Sequence, residues 1–417
     1  MSKIDADVLI AGAGIGGLTL ALKLFERGIS CRVYEAVSDI RAVGAGINLL
    51  PHAVKELEQL GLLPALDRVG IRTRDASYFD RFGHHIYTEP AGLAAGYQWP
   101  QFSIHRGDLQ LLLLEAVKAR LGDDAVLTGH RCVGIEQGAD TVTLRFEDPQ
   151  GHALPPAVGR VAVGSDGIKS TFRQHLYPGE GEPVYSGLTI WRGTVPYKPF
   201  LGGANTVRIG WMPVGKLMVY PIRDRIDEQG RQLLNWVATL ERPRPSHYDW
   251  NRPARHDEFI DTYKDWRFDW LDVPDLLAST EQPLVFPMVD RNPVPTWTQG
   301  RITLLGDAAH PMYPRGSNGA GQSILDAKFL ALQLGTLGTT PQALQAYDQV
   351  RVAETAKVVL MNRKNPPDAI LREVYERTGD KPFARIDDVI SPEEIRALSD
   401  GYKKVAGFHQ AQINEPA

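Results

Sequence analysis

The sequence predicts an α/β fold, α+β in overall content, in which a parallel sheet covered by helices is interrupted by a second domain built on a mixed sheet. Three observations lead to this prediction. A glycine-rich turn joins a short apolar strand to a helix near the N-terminus, two similar strand-to-turn-to-helix segments follow near residues 164 and 305, and short apolar runs fill residues 184–238. At 417 residues, the chain also exceeds the usual size of one hydrophobic core.

The composition is that of an ordinary globular enzyme. Hydrophobic residues make up 43% and charged residues 23% of the chain, and a net charge of -4 gives no basic surface for nucleic acid. Cys31 and Cys132 are too few for a disulfide framework and lack the paired spacing of a zinc site, so we expect a reducing, cytoplasmic setting and no metal. The sequence contains no uninterrupted apolar run long enough to predict a membrane span. We therefore expect small-molecule partners.

The N-terminal segment has the pattern of a β-α-β unit. Residues 7–11 form an apolar run typical of a buried parallel strand, apolar residues recur at helical spacing over 14–27, and residues 31–35 are predicted to form the second strand. The turn between the first strand and the helix reads Gly12-x-Gly14-x-x-Gly17 and includes Ile15 and Gly16.

This turn has the spacing of a dinucleotide site. The first glycine permits a tight turn, the second allows the backbone to approach a pyrophosphate, and the third allows the helix to pack on the strand. Glu35, at the end of the second strand, is placed to accept hydrogen bonds from ribose hydroxyls, which argues against a 2′-phosphate. The pattern predicts a Rossmann-like domain but does not by itself separate NAD from FAD.

The remaining elements follow in order. Residues 54–60 and 108–121 are predicted helices, separated by loops and short strands over 73–102. Residues 125–146 alternate as a meander does, and 161–164 are a buried strand. Strands are predicted at 188–191, 207–211, 217–220 and 234–237, followed by a surface connection over 241–256 and helical structure over 258–277. A strand at 301–305, a helix at 319–334 and a tail helical in pieces after 365 complete the chain.

A second group of residues distinguishes the two dinucleotides. The strand at 301–305 ends at Gly306-Asp307, whose acid could reach a polyol such as a ribityl chain. The segment from Pro314 through Gly316, Ser317 and Asn318 to Gly319 then opens a helix, whose N-terminal amides stabilise the negative charge of a reduced flavin. A plain NAD dehydrogenase has no need of this arrangement, so we expect FAD. The alternative is that Asp307 caps the helix.

A third group of residues again follows a strand. Asp166, Ser170 and Arg173 stand close enough in sequence to form a capping and charge network at the start of a helix. Its alternative interpretation is a capped helix that holds two segments together.

These three motifs, in this order, resemble the single-component flavoprotein aromatic hydroxylases typified by para-hydroxybenzoate and salicylate hydroxylases. The resemblance covers roughly residues 7–360 and is strongest to the phenazine hydroxylase branch, through the phrases at 45–48, 103–110, 288–291 and 301–310. The wider family usually has Gln, Gly and Asn where this chain has Ser317, Asn318 and Ala320. The resemblance implies a para-hydroxybenzoate hydroxylase-like fold. This fold would have a discontinuous FAD-binding domain (1–72, 103–182 and 290–364), a substrate-binding domain (73–102 and 183–289) and a helical tail (365–417).

The resemblance also implies which residues meet FAD. Arg41 is either an adenosine-side contact or an ordinary surface arginine. The other implied contacts are Glu35 at the ribose, Arg106 at the pyrophosphate or ribose, the Cys132 backbone at the adenine, Gly46 and Ile47 along the isoalloxazine, Asp307 at the ribityl chain, and Asp166 in a motif that serves FAD and NAD(P)H.

The chemistry implied by the resemblance is hydroxylation of an aromatic or heteroaromatic ring. NADH or NADPH, docking transiently because no second GxGxxG is present, would reduce FAD, and a C4a-hydroperoxyflavin formed with O2 would transfer oxygen. Such chemistry needs a dry pocket, for which candidate walls are Trp191, Trp211, Tyr220, Phe286 and Pro314, with core packing as the alternative for the tryptophans and Phe286. No residue is assigned as catalytic; the nearby candidates for a base are His52, Tyr220, His310 and Tyr313.

Two functions of other classes stay open. A flavin oxidase or dehydrogenase, including a halogenase-like enzyme, would share the FAD motifs without forming a hydroxylated product. An FAD-dependent sensor without enzymatic activity is disfavoured, because the sequence shows no DNA-binding or signalling segment. The enzyme is expected to be a monomer or a homodimer.

Overall fold

The structure is a computed structural model that describes residues 4–42, 44–245, 252–364 and 366–414. Its strands are β1 (Ala6–Ala11), β2 (Cys31–Tyr34), β3 (Gly46–Leu49), β4 (Gly70–Thr73), β5 (Asp75–Phe79), β6 (His85–Pro90), β7 (Gln101–His105), β8 (Val126–Leu127), β9 (Arg131–Gln137), β10 (Val142–Glu147), β11 (Ala153–Gly164), β12 (Val184–Tyr197), β13 (Asn205–Trp211), β14 (Gly215–Arg223), β15 (Gln232–Glu241), β16 (Arg252–Pro253), β17 (Arg267–Phe268), β18 (Leu271–Asp272), β19 (Leu284–Asp290) and β20 (Ile302–Leu304). Its α-helices are α1 (Ile15–Phe25), α2 (Pro51–Gln59), α3 (Leu63–Val69), α4 (Arg106–Leu121), α5 (Thr171–Leu176), α6 (Val273–Ala278), α7 (Gly319–Leu337), α8 (Pro341–Lys364), α9 (Ala369–Thr378), α10 (Pro392–Val405) and α11 (Gln410–Asn414).

The first sheet carries the glycine-rich turn. Its strand order is β8-β2-β1-β11-β10-β9, with β20 paired to β11. Strands β8, β2, β1, β11 and β20 run parallel, while β10 and β9 are antiparallel additions. Val8, Leu9 and Ile10 are fully buried, as expected for a parallel strand with both faces covered. The carboxyl ends of β1, β11 and β20 therefore lie side by side. The three turns with predicted site residues, at Gly12, Asp166 and Asp307, begin there.

The second sheet is mixed, as predicted. Its order is β16-β19-β12-β15-β14-β13-β5-β6, and β13 pairs with β5 in parallel while the other described pairs are antiparallel. Side chains of one face, including Leu217, Val219 and Trp236, pack in a core with Phe259 and Tyr263. We call this the outer face and the opposite one the inner face. A smaller sheet, β3-β7-β4, is formed by segments in which the chain passes from one large sheet to the other.

The predicted helix over 258–277 is wrong. The chain there forms short 3-10 turns at His256–Glu258 and Ile260–Tyr263, the strand pair β17 and β18, and only one helical turn and a half in α6. Phe259, Tyr263 and Trp266 recur at helical spacing and are all buried against the outer face. Aromatic residues have weak helix propensity, so packing on the sheet decides the backbone here. Part of the predicted surface connection over 241–256 lies outside the described residues.

The C-terminal tail folds back in short helices that pack on the second sheet and beside α8. In α9, Ile370, Leu371 and Val374 pack with Tyr78 of β5. Farther on, residues of α10, α11 and the segment between them join a cluster with Leu50 and Tyr97. Among the described helices, none is both long and apolar enough to cross a membrane.

Candidate functional site

The three glycines of the N-terminal turn differ in what a side chain at each position would meet. Gly12 has φ +106°, and a Cβ there would lie 2.3 Å from the Ser165 carbonyl oxygen. A Cβ on Gly17 would lie 2.1 Å from the Gly12 carbonyl oxygen, so α1 packs on the turn only without a side chain. A Cβ on Gly14 would meet nothing within 4 Å. The protein leaves open space at Gly14, at the N-terminus of α1, where an anion is favoured.

Glu35 joins this turn to the second strand. One carboxylate oxygen accepts a hydrogen bond from the Ala13 N–H at 2.8 Å, and the other accepts from the Val37 N–H at 3.0 Å. A carboxylate has about four acceptor positions, so two remain for ribose hydroxyls. Arg41 is an exposed side chain that pairs with Asp39 at 2.6 Å, so the structure brings it to no other predicted site residue.

The Asp166 turn is tied to the Asp307 turn. Asp166 accepts hydrogen bonds from the Ser170 hydroxyl and from the Thr171 N–H, and burial raises its pKa above the ordinary value. Ser170 in turn caps α5 by accepting from the Arg173 N–H at 3.0 Å. The Arg173 guanidinium donates to the Ala309 carbonyl at 2.5 Å. The capping network is therefore present, and it bridges β11 to the segment after β20, as in the alternative interpretation of a capped helix that holds two segments together.

Asp307 is exposed and caps no helix. It lies in a short 3-10 turn, Gly306–Ala308, without a side-chain cap, and within the described part of the chain no hydrogen bond to its carboxylate is found. A Cβ on Gly319 would lie 3.9 Å from its Oδ1, so the carboxylate stands beside the N-terminus of α7. This is the arrangement needed for a polyol at the acid and a negative edge at the helix amides.

A buried ionic network supports the Asp307 turn from below. Asp326 accepts from the Gly306 N–H at 3.0 Å, contacts His310 Nε2 at 2.5 Å and pairs with Arg351 at 2.8 Å. Burial alone raises the pKa of Asp326, but His310 and Arg351 outweigh it and hold the pKa below its ordinary value. His310 therefore has a structural role, and we remove it from the candidates for a catalytic base.

The segment from Pro314 to Gly319, which we call the ring turn, leads into α7. Ser317 has φ +55°, and Pro314 is exposed. Asn318 is buried, and its side-chain amide donates to the Tyr402 hydroxyl at 3.3 Å. A Cβ on Gly316 would lie 1.5 Å from the same hydroxyl, so the tail presses directly on the ring turn. No motif in the sequence predicts this contact.

Side chains on the inner face of the second sheet bind the backbone of β3 at Gly46. The Gly46 carbonyl accepts from the Tyr220 hydroxyl at 2.7 Å and from Arg192 at 2.6 Å, and its N–H donates to Asn235 at 2.7 Å. A Cβ there would lie within 2.8 Å of three side chains, so no larger residue fits. Ile47 follows, half-buried. Burial raises the pKa of Tyr220, and its hydroxyl already donates to the Gly46 carbonyl. Tyr220 therefore holds β3 in place and does not act as a base.

Arg106 and Cys132 differ in their exposure. Arg106 is exposed at the start of α4, with its side chain beside Gly44 and its N–H donating to the Ala45 carbonyl at 3.1 Å. Cys132 is buried, and burial raises the pKa of its thiol to about 12, which leaves it an inert thiol. Its carbonyl accepts from the Thr171 hydroxyl at 3.1 Å.

The candidate pocket walls divide between the two faces. Trp191 lies on the outer face, stacked on Phe259 with ring centroids 5.6 Å apart, and is a core residue. Phe286 pairs with Ile190 across β12 and β19 and so shares the inner face. Trp211 packs beside Met212, and the Arg315 guanidinium lies 5.5 Å from its ring centroid.

The two other candidates for a base are also occupied or remote. Tyr313 is buried, and its hydroxyl donates to the Val184 carbonyl at 3.3 Å. His52 is buried in α2, where it stacks on Phe408. Neither presents a free base to the inner face.

One cluster was missed by sequence reasoning. Arg208 of β13, Lys216 of β14 and Arg315 of the ring turn surround Asp368, which begins α9. Lys216 donates to Asp368, and Arg315 approaches its other oxygen at 3.4 Å. These residues are far apart in sequence and belong to no motif, so only the fold brings them together.

The residues at the carboxyl ends of β1, β11 and β20 fit FAD. The open space at Gly14, the free acceptor positions of Glu35, the exposed Asp307 and the N-terminus of α7 lie along one edge of the first sheet. Backbone amides and acids at these places suit a pyrophosphate, hydroxyl groups and a negatively charged ring edge respectively.

Comparison with known proteins decides the family. The family described as FAD binding domain matches residues 5–362. The chain is 39% identical over 413 residues to a phenazine 1,6-dicarboxylic acid hydroxylase from Lysobacter antibioticus, covering 98% of this chain and 99% of that protein. It is 32% identical to a 3-amino-4-hydroxybenzoate 2-monooxygenase from Streptomyces platensis, covering 97% of each. The chain belongs to the FAD-dependent aromatic hydroxylases.

The aromatic hydroxylase fold is shared with solved structures. A salicylate hydroxylase substrate complex aligns over 100% of both chains with a TM-score of 0.74 and 25% identity. As a member of this family, the chain is an NAD(P)H-dependent flavoprotein monooxygenase with the para-hydroxybenzoate hydroxylase-like fold expected from its sequence. The relatives named here are hydroxylases and monooxygenases, which favours hydroxylation over the oxidase, halogenase-like and sensor alternatives.

Proposed function

We propose that this hydroxylase acts on an aromatic or heteroaromatic ring that carries a carboxylate, and that Arg208, Lys216 and Arg315 bind the carboxylate. The observation that carries the proposal is a buried excess of positive charge. The three cations share one carboxylate, Asp368, so the cluster has a net charge of +2 (three minus one). A buried charge without a partner is costly, so this cluster is suited to an anionic ligand.

The hydrogen-bond inventory agrees with this charge count. Within the described residues, Arg208 Nη1 and Arg315 Nε are buried and have no hydrogen-bond partner. Burial lowers the pKa of Lys216, although Asp368 opposes the shift. Burial alone raises the pKa of Asp368, but Lys216 and Arg315 outweigh it and hold the pKa below its ordinary value. A substrate carboxylate would supply the missing acceptors, since guanidinium and carboxylate match in geometry.

The position of the cluster suits a ring held against the flavin. Arg315 directly follows Pro314 in the ring turn. Arg208 and Lys216 lie on the inner face of two neighbouring strands, β13 and β14. Apolar inner-face residues Ile190 and Met288 pack with Met212 and Tyr313 near this point. The ring would lie against these apolar groups, with its carboxylate on the cations. Such a wall also excludes water from the reacting carbon.

When bound, FAD supplies the activation of O2 and the oxygen transfer. The chain itself binds the ring, orients it and excludes water. Tyr220 is committed to Gly46 and His310 to Asp326, so we propose an electron-rich substrate that reacts without deprotonation by the protein. The named relatives support a carboxylated ring, because phenazine 1,6-dicarboxylic acid, 3-amino-4-hydroxybenzoate and salicylate all carry one.

A matched pair of compounds tests the substrate class. Phenazine-1-carboxylate and its neutral carboxamide have the same ring, and only the first should stimulate NAD(P)H oxidation with formation of a hydroxylated product. Arg208→Met should raise KM for the carboxylate by about tenfold or more. Lys264→Met, which removes an exposed lysine, is the charge-matched control. Equal rates with acid and amide would contradict the proposal.

The FAD contacts implied by the sequence are also proposals. We propose that Gly12, Gly14, Gly17 and Glu35 hold the adenosine half of FAD and that Asp307 and the ring turn hold the flavin half, with Gly46 and Ile47 along the ring. The open space at Gly14 and the unoccupied carboxylate of Asp307 support this. Arg106 at the FAD pyrophosphate or ribose fits its exposure, whereas the pairing of Arg41 with Asp39 favours a surface role.

We further propose that the chain divides as its two large sheets do, with the FAD-binding domain at 1–72, 103–182 and 290–364 and the substrate-binding domain at 73–102 and 183–289. The described strands of the second sheet fall within the latter ranges, except that β19 extends one residue beyond them, to Asp290. We also propose a cytoplasmic enzyme that is a monomer or a homodimer. Its two cysteines are free and buried, which suits a reducing compartment.

A further inference from the structure

A cavity lies outside the site described above. It has a volume of about 640 Å³ and is lined by α2, α7 and α8 together with α10, α11 and the segment between these last two helices. Cavities of roughly 300–1,000 Å³ accommodate small organic ligands. Its apolar lining includes Leu325, Phe329 and Val358. The size and lining suit a single organic molecule with an apolar body.

The lining of this cavity carries an excess of cations. Five positive side chains line it, against only the carboxylates Glu56 and Glu354, so the net charge is +3 (five minus two); the five are Lys55, Lys328, Arg351, Lys357 and Lys404. Lys328 pairs with Glu56 at 2.8 Å and Arg351 with Glu354 at 2.7 Å. Lys357 and Lys404 take part in no ion pair within the described part of the chain. Both ammonium groups are therefore available to an anionic ligand.

His52 forms part of the cavity wall. Its side chain is 4% exposed, lines the cavity and stacks on Phe408. Neither ring nitrogen has a hydrogen-bond partner in the described structure. Burial, with Arg351 nearby, lowers the pKa of His52 to about 3, so the imidazole is neutral and offers one donor and one acceptor. Both ring nitrogens are enclosed by protein, so His52 presents no polar group to the cavity.

We propose that this cavity is a second binding site, distinct from the substrate site, for a small aromatic carboxylate whose ring contacts Phe329 and whose carboxylate reaches Lys357 and Lys404. The proposal does not rest on the identity of the substrate, because none of these residues belongs to the Arg208 cluster. Free aromatic acids and the carboxylated substrate or product of the enzyme itself share this chemistry, so both are tested.

Calorimetric titration of the FAD-loaded enzyme with 1-naphthoate tests the site. We expect saturable binding, weakened by about tenfold or more in Lys357→Glu/Lys404→Glu and preserved in Arg208→Met. The neutral 1-naphthamide should bind much more weakly than the acid. The charge-matched control is Lys118→Glu/Lys264→Glu, in which both substituted lysines are exposed and outside the cavity lining. FAD content and circular dichroism verify that each variant is folded, and Lys357→Gln serves as a milder version.

The outcomes separate this site from the substrate site. Loss of naphthoate binding in Arg208→Met together with full binding in the Lys357 and Lys404 variant would overturn the proposal. Equal affinity for acid and amide would overturn it as well, and so would no binding of either naphthoate or phenazine-1-carboxylate at about 1 mM. In a second arm, phenazine-1-carboxylate replaces naphthoate. Binding of the phenazine alone that depends on Lys357 and Lys404 identifies the enzyme's own substrate class as the ligand, whereas binding of both identifies a general aromatic-acid site.

Discussion

Substitution of Gly14 separates cofactor binding from folding. Gly14 has φ -73° and ψ -179°, an extended conformation open to any residue, and a Cβ there would meet nothing within 4 Å. Gly14→Val therefore introduces no clash in the protein itself. The structural cost is that of a poor N-cap residue, about 1 kcal/mol, which corresponds to a fall in Tm of about 2 °C.

The same side chain would fill the space proposed for the FAD pyrophosphate. Loss of the backbone contact and of the anion site should weaken FAD binding by about 100-fold, or about 2.7 kcal/mol. FAD content is measured by the absorbance ratio of the purified protein, and affinity by titrating FAD into apoprotein. The apoprotein Tm is measured separately, since bound FAD stabilises by mass action.

Two comparisons sharpen this experiment. Gly17→Ala places a methyl group 2.1 Å from the Gly12 carbonyl oxygen and should damage the fold itself, with or without FAD. Gly179→Val, where a Cβ also meets nothing within 4 Å, should change neither FAD content nor apoprotein stability beyond a small effect. Normal FAD affinity in a folded Gly14→Val enzyme would refute the assignment of the turn to the pyrophosphate.

Three further outcomes follow from the contacts. Asp307→Ala should weaken FAD binding by about tenfold and leave apoprotein stability unchanged, because its carboxylate accepts no hydrogen bond in the described structure; unaltered titrations would remove it from the site. Asp368→Asn should lower the free energy of unfolding by about 3–5 kcal/mol in urea titrations, since Lys216 loses its buried counterion. For His52, the folded pKa of about 3 lies below the ordinary value of 6.5, so the unfolded chain binds more protons and stability falls as the pH drops from about 6.5 towards 3. The slope reaches about 1.4 kcal/mol per pH unit, and His52→Leu should remove it.

Much of the first sheet could be predicted because its signals are local. An apolar run, a glycine turn and an amphipathic helix occupy adjacent residues, and β1, α1 and β2 appear close to the predicted ranges. The constraints at Gly12 and Gly17 are steric and arise within that unit or at the neighbouring β11 turn. A spacing in sequence is then nearly a spacing in space.

The segment over 258–277 shows how a local pattern can mislead. Buried aromatic residues at 259, 263 and 266 repeat as a helix face repeats, yet each is fixed by the outer face of the sheet rather than by a helical backbone. The Trp266 N–H donates to the Tyr263 carbonyl at 3.0 Å, as in a tighter turn. Periodicity records which residues are buried, and it does not record what buries them.

The tail presents the opposite case, in which function leaves no local pattern. Asp368 meets Lys216 across 152 residues, and Tyr402 meets Asn318 across 84. Each contact needs only one residue at each end, so no spacing signals it. Yet Asp368 is the one carboxylate that the described residues place among Arg208, Lys216 and Arg315, and Tyr402 occupies the space that a side chain on Gly316 would need. A motif reports where the chain itself forms a turn around a ligand. An enclosure built by distant segments is visible only once the fold has brought them together.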